Sequence, residues 1–234
     1  MAHFYALFRR QQQISNSFLR MDDITEDKLF QCTRFTRPAV LELLELVRDD
    51  LERPTSRHHA VPADTQLLAA LQFLSSGSFQ WMVGRSCGLS QPSVSLAVEA
   101  VTNSLIKVAP HYIKFPTDQQ SIINNKLSFH SVARFPNVIG AIDCTHIAIK
   151  APSEHEETFV NRKGVHTINV QAVCDNDLRI TNLVAKWPGS SHDSFIWRTS
   201  GLRRQFEDGH VRDGCLLGER LMITLIKLFK LRFS

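Results

Sequence analysis

Two aspartates are set in surroundings that an acid does not choose by default. Val138-Ile139-Gly140-Ala141-Ile142-Asp143 is an apolar run that ends in a carboxylate. Placing an acid beside the centre of a buried strand costs free energy unless a cation, a metal or a hydrogen-bond donor compensates it. Two readings are open for Asp143: a metal ligand, or an acceptor for nearby backbone N–H groups. Asp193 lies 50 residues later, in Trp187-Pro188-Gly189-Ser190-Ser191-His192-Asp193, where proline and glycine stop an extended run ahead of a helix. Two further strands separate the acids, and in an antiparallel sheet that spacing returns Asp193 to the end that carries Asp143. Two carboxylates on one rim offer the hard oxygen ligands that Mg²⁺ and Mn²⁺ prefer. A site of that kind activates water and clamps a phosphodiester oxygen for in-line displacement. Ser191-His192-Asp193 is not a serine triad, because sequence neighbours cannot make the Ser–His and His–Asp hydrogen bonds in series.

His146, His166 and His192 read as hydrogen-bonding or packing residues, since nitrogen ligands suit zinc better than magnesium. Lys150, Arg162, Lys163, Lys186, Arg198, Arg203 and Arg204 surround the acids in sequence. They form either a track for phosphates or an ordinary solvated surface of mixed charge.

The acids need a sheet to position them. Val138–Ile149, Thr167–Cys174 and Ile180–Trp187 read as strands, the last two joined through the turn-forming Asp175-Asn176-Asp177. A helix is predicted over Ser194–Phe206, then a fourth apolar run, Cys215-Leu216-Leu217. Pro110, Pro116 and Pro136 mark the stretch before the sheet as a domain connection.

Ahead of that stretch the periodicity is helical. Val40, Leu43, Leu44 and Val47 share one face of a helix from Ala39 to Leu51. Asp64 is expected to cap a helix through Leu67, Leu68, Leu71 and Leu74, ending near Ser75-Ser76-Gly77. A short helix follows from Phe79 to Cys87 and stops at Gly88. Ser90 then caps a third, Gln91–Ile106, with Pro92 in its first turn and Val94, Val98 and Val101 facing inward. This is the layout of a helix-turn-helix. The third helix carries Glu99 and no Arg or Lys, so it offers base-edge hydrogen bonds but little attraction for phosphates. DNA docking and a purely structural three-helix unit are both open.

Composition narrows the class. The chain has 234 residues, 27 basic and 23 acidic, for a formal charge of +4; 43% are hydrophobic and 21% charged. Those proportions exclude wholesale disorder and collagen-like or disulfide-dense scaffolds, and permit a nucleic-acid partner without requiring one. Five cysteines without a C-x-x-C pair suggest neither a zinc ribbon nor a disulfide framework, which points to a reducing compartment. No signal peptide is expected at Met1–Arg10. The longest apolar stretch, Leu221–Phe233, is interrupted by Lys227, Lys230 and Arg232 and is too short to span a bilayer, so no membrane partner is expected.

Several separated motifs carry a resemblance. Ala141-Ile142-Asp143-Cys144-Thr145-His146-Ile147-Ala148-Ile149-Lys150-Ala151-Pro152, Val160-Asn161-Arg162-Lys163-Gly164-Val165-His166, and Trp187-Pro188-Gly189-Ser190 before Asp193 occur in order. With Arg53-Pro54-Thr55 and Gly77-Ser78-Phe79-Gln80, they resemble the harbinger transposase-derived nucleases, domesticated relatives of PIF/Harbinger DDE transposases. The resemblance implies an RNase H-like catalytic fold, a divalent cation (Mg²⁺ or Mn²⁺) bound by acids, DNA as substrate, and residence in nucleus and cytoplasm. It also implies a Myb/SANT-like DNA-binding partner. Asp143 and Asp193 match the family's first two catalytic acids. Glu219 stands where the family has an aspartate after Leu-Leu-Gly, making it a third expected metal ligand, and the family's later glutamate has no counterpart.

The expected protein is therefore α+β. An N-terminal helical region (residues 1–115) contains the helix-turn-helix-like unit (about 64–108). A partial RNase H-like DDE nuclease domain follows (137–218), then a divergent basic amphipathic tail (219–234). The expected activity is metal-dependent hydrolysis of DNA phosphodiesters, impaired by C-terminal truncation. The alternative is a catalytically inactive DNA- or protein-binding module. Asp143, Asp193 and Glu219 are the expected metal ligands, the two aspartates the catalytic residues, and Lys150, Arg162, Lys163 and Lys186 the DNA contacts.

Overall fold

The computed structural model describes residues 18–52, 60–211 and 213–218. Arg53-Pro54-Thr55, Glu219 and the tail to Ser234 lie outside the described residues. The chain divides into two compact units after Pro110.

The first unit is helical: α1 (Glu26–Thr33), α2 (Arg37–Leu51), α3 (Ala63–Ser76), α4 (Gln80–Cys87) and the start of α5 (Gln91–Tyr112). Pro38 sits in the first turn of α2, where its missing N–H breaks no hydrogen bond. Leu29, Val40, Leu44, Val47, Leu67, Leu68 and Val101 form the main core. Each contributes roughly 1.5–3 kcal/mol by leaving water. A second cluster, Ala69, Val83, Cys87 and Val94, fastens α3, α4 and α5 together. Gly88 ends α4 in the left-handed conformation (φ 70°), which costs glycine nothing. Ser90 caps α5 as expected, its Oγ accepting the Ser93 N–H at 3.3 Å.

Asp64 does not cap α3. Pro62 holds the cap position, and Asp64, one residue inside the helix and 8% exposed, faces the chain before α1. Its carboxylate accepts the Met21 and Thr65 N–H groups at 3.2 and 2.9 Å and pairs with Arg20 at 2.9 Å. Long-range partners thus outbid a local cap. Helix α5 runs six residues past the expected end at Ile106, through Pro110, because a proline this close to the terminus removes only a last-turn hydrogen bond. The extension brings in Lys107, already paired with Asp50 at 2.9 Å.

The second unit opens with α6 (Gln119–Ala133) in the stretch expected to be connection. Asp118 caps it by accepting the Ser121 N–H at 2.9 Å, and Ile122 enters the core. Asn125 donates to the Ile139 carbonyl at 3.1 Å, tying α6 to the sheet that follows.

Among the described residues that sheet has four strands: β1 (Val138–Ala148), β2 (Thr167–Cys174), β3 (Ile180–Pro188) and β4 (Cys215–Leu217), in the order β3-β2-β1-β4. The first three pair antiparallel and β4 lies parallel to β1. The single helix expected after β3 is two, α8 (Asp193–Thr199) and α9 (Gly201–Glu207). Ser200 separates them with an extended backbone and caps α9, its Oγ accepting the Arg203 N–H at 3.1 Å. Trp197 of α8 and Leu202 of α9 pack with Ile139, Ile142, Val173 and Leu216 of the sheet. A short helix, α7 (Glu156–Phe159), lies between β1 and β2. Helices first and a mixed sheet after give the α+β class expected. No helix among the described residues is long and apolar enough to cross a membrane.

Candidate active site

Strand β1 is buried or half-buried over Val138–Ile142 and exposed at Asp143, its middle residue. The acid therefore stands where the strand leaves the core and keeps its hydration, avoiding most of the burial cost. One carboxylate oxygen accepts the Cys144 N–H at 2.8 Å, and the side chain lines a cleft of about 360 Å³. The backbone-acceptor reading of Asp143 thus holds for one oxygen, and the side chain also borders open space.

Asp193 lines the same cleft from the first turn of α8, where the helix dipole favours a negative charge. The loop that delivers it is clamped at several points. Gly189 lies so close to the start of β2 that a Cβ there would sit 2.2 Å from Thr167 Oγ1 and 2.5 Å from the Phe159 carbonyl oxygen. The Ser190 N–H donates to the Thr158 carbonyl at 3.1 Å. Asn169 Nδ2 donates to the Ser191 carbonyl at 3.0 Å and to Asp193 Oδ1 at 2.9 Å.

Beside the acids, Cys144 and Gln171 face each other across the β1–β2 pairing, with Gln171 Nε2 3.8 Å from Cys144 Sγ. Burial first, and then the Asp193 carboxylate, push the Cys144 thiol up to about 12. Burial thus favours the neutral S–H over the thiolate.

Positive charge reaches the cleft on a tight turn. Asn161 Oδ1 accepts the N–H groups of Lys163 and Val165 at 2.8 and 3.2 Å, and Val160 bridges to His166. The turn sets Arg162 and Lys163 in the cleft wall. Arg162 Nη2 lies 2.7 Å from His192 Nδ1. A guanidinium only donates, so Nδ1 accepts and the imidazole proton sits on Nε2. His146 shares a 3.0 Å hydrogen bond with Thr167, and His166 lies 2.8 Å from Glu156.

Four of the residues singled out from the sequence, Asp143, Asp193, Arg162 and Lys163, line one cleft. Lys150 and Lys186 are exposed but are not among its lining residues, and Lys186 stacks its ammonium 5.2 Å above the Trp187 ring. Arg203 is engaged by Glu207 at 2.8 Å, while Arg198 and Arg204 are exposed on α8 and α9. Glu219 lies outside the described residues. Sequence reasoning passed over Asn161 and Asn169. The first sits inside a quoted motif; the second is signalled only by a polar residue at an inward position of a strand.

The donor chemistry fits a hard divalent cation. Among the described residues no three His, Cys, Asp or Glu side chains are grouped to hold a metal, so the site offers two carboxylates. That is the set by which Mg²⁺ is commonly held, with waters and substrate phosphates completing its shell.

Residues 142–222, which carry most of the sheet and the cleft, match the DDE superfamily endonuclease family. More narrowly, the chain is similar to the harbinger transposase-derived nucleases. It is 42% identical over 200 residues to the Rattus norvegicus and Homo sapiens proteins named "Putative nuclease HARBI1", covering 86% of this chain and 57% of each relative. The Xenopus laevis protein of that name is 37% identical over 204 residues, 87% of this chain and 59% of its own. The chain thus spans somewhat more than half the length of these curated relatives. No solved structure matches it.

Proposed function

We propose that this chain is a divalent-metal-dependent nuclease acting on DNA, with its chemistry at the cleft between Asp143 and Asp193. The observation that carries the reading is that two acids 50 residues apart line one cleft together with Arg162 and Lys163. Asp143 and Asp193 supply oxygens to the cation, Mg²⁺ or Mn²⁺, and Glu219 is the third ligand proposed. A bound divalent ion supplies Lewis-acid polarisation of a phosphodiester oxygen and a more acidic attacking water. Arg162 and Lys163 neutralise phosphate charge beside the reacting group, and Lys150 and Lys186 extend the contact to flanking phosphates. His192, neutral with its proton on Nε2, offers a further donor to a phosphate oxygen.

Strong DNA reading by α5 is not part of this proposal. The helix carries a single Lys, Lys107, and Asp50 holds it. Sequence-specific docking is assigned instead to a Myb/SANT-like partner, and the site of action to the nucleus, with cytoplasmic residence besides.

The test is calorimetric titration of Mn²⁺ into the wild-type chain, Asp143→Asn and Asp193→Asn. Binding by the wild type and its loss in either variant is expected, because one carboxylate leaves too few oxygens for a stable site. Equal binding in all three refutes the acid pair. No binding in any of them favours the inactive binding module.

A further inference from the structure

We propose that Asn169 is a positioning residue for Asp193, the side chain that fixes this acid in its metal-binding place; the inference rests on the metal-site reading above. Asn169 lies two residues into the second strand and is 0% exposed. Its amide has two N–H bonds, and both are used: one on Asp193 Oδ1 at 2.9 Å, the other on the Ser191 carbonyl at 3.0 Å. The amide cannot be turned round, because that would set its oxygen against two groups that only accept.

The cost of this arrangement points to its purpose. Asn169 Oδ1 is buried and has no hydrogen-bond partner among the described residues. A buried acceptor left unpaired is less favourable than an apolar group of the same size, so packing alone selects against asparagine here. Thr167 and Val173, at other inward positions of β2, show that the strand accommodates β-branched residues in this row. What asparagine supplies and an apolar residue cannot is a pair of diverging donors. One grips the loop before α8 and the other grips the first residue of the helix.

The anchor is also rigid with respect to the other acid. Asn169 pairs with His146, and Ala172 of the same strand pairs with Asp143. A side chain rooted in β2 and bonded to Asp193 therefore transmits the register of the β1–β2 pairing to the spacing of the two carboxylates. Residues that hydrogen-bond to ligating carboxylates orient them, and their loss typically weakens metal affinity roughly 10–100-fold.

The experiment uses the full chain and Mn²⁺ alone, read by calorimetry and by the paramagnetic-resonance signal of free Mn²⁺. Wild type, Asn169→Leu, Asn169→Ser and Asp193→Asn are compared, with thermal unfolding of each recorded without metal. Expected are wild-type-like unfolding of Asn169→Leu or Asn169→Ser and a Kd for Mn²⁺ raised about 10–100-fold. A folded Asn169 variant with the wild-type Kd, alongside loss of binding in Asp193→Asn, overturns the inference and leaves the metal site standing. Failure of both Asn169 variants to fold makes Asn169 a residue of the fold and overturns it too. A wild-type chain that binds no Mn²⁺ overturns the metal-site reading and the inference with it.

Discussion

Replacing Gly189 by alanine asks whether the acid-bearing loop has room to move. The added Cβ would lie 2.2 Å from Thr167 Oγ1, 2.5 Å from the Phe159 carbonyl oxygen and 2.8 Å from the Thr167 carbonyl oxygen. Only the first of these can rotate away, since the other two are backbone. To reach a tolerable separation from Phe159 the loop must lift by about 0.5 Å, and interiors packed like organic crystals transmit such a displacement. Overpacking of this kind costs about 1–3 kcal/mol. Gly201→Ala is the matched control: no atom lies within 4 Å of its built Cβ, and the position opens α9. That variant is expected to be more stable by roughly 0.4–1 kcal/mol, through lost freedom in the unfolded chain. Both are measured by urea denaturation with tryptophan fluorescence in a Trp81→Phe background, leaving Trp187 and Trp197 to report on the sheet-bearing unit. A loss below about 0.5 kcal/mol for Gly189→Ala, the range of an ordinary surface change, refutes the claim that the loop is clamped.

Asp64→Ala strands the Met21 N–H and frees Arg20, so the helical unit is expected to lose about 1–3 kcal/mol in denaturant titration followed by Trp81. Cys144, its thiol pushed up to about 12, is expected to resist iodoacetamide at pH 8 in the folded protein; mass-spectrometric mapping that shows alkylation as fast as at Cys174 contradicts this. The Ser121 backbone N–H holds the Asp118 carboxyl below its ordinary value of 3.8. Its contribution is therefore present above that value and is lost as the pH falls through the lower native one. Asp118→Ala is expected to lower the melting temperature near pH 6 and to lower it progressively less as the pH is taken below 3.8, which a series of thermal scans checks.

Strand β2 was legible to the residue because alternation and a turn coincide there: its inward positions alternate with half-exposed ones, and Asp175-Asn176-Asp177 follows directly. Helix α6 was not legible, because it buries little more than Ile122 and so shows weak apolar periodicity between two prolines. The break at Ser200 lies in the Ser200-Gly201 pair, where the serine ends α8 with an extended backbone and caps α9. At the site, residue type revealed the acids and the basic turn, since carboxylates and guanidinium groups declare their chemistry. Asn169 declares nothing by type. Its significance comes from β2 register and from the path of a loop whose bonded groups are 22 and 24 residues away, which are properties of the folded sheet.

Among the described residues strand β3 ends one side of the sheet, and an outer strand is where a second chain can be recruited by backbone pairing. Ile180 and Leu183 are 45% and 42% exposed on it, a combination that invites templated growth. The strand resists through irregularity. Its pairing with β2 slips at two points, its last residue is Pro188, and Lys186 projects a charge from its exposed length. Bulges, proline and lysine are the means by which natural sheets stay unattached to their copies. Lys186, proposed above to meet a phosphate, is by its place also the kind of edge-strand charge that opposes pairing between copies.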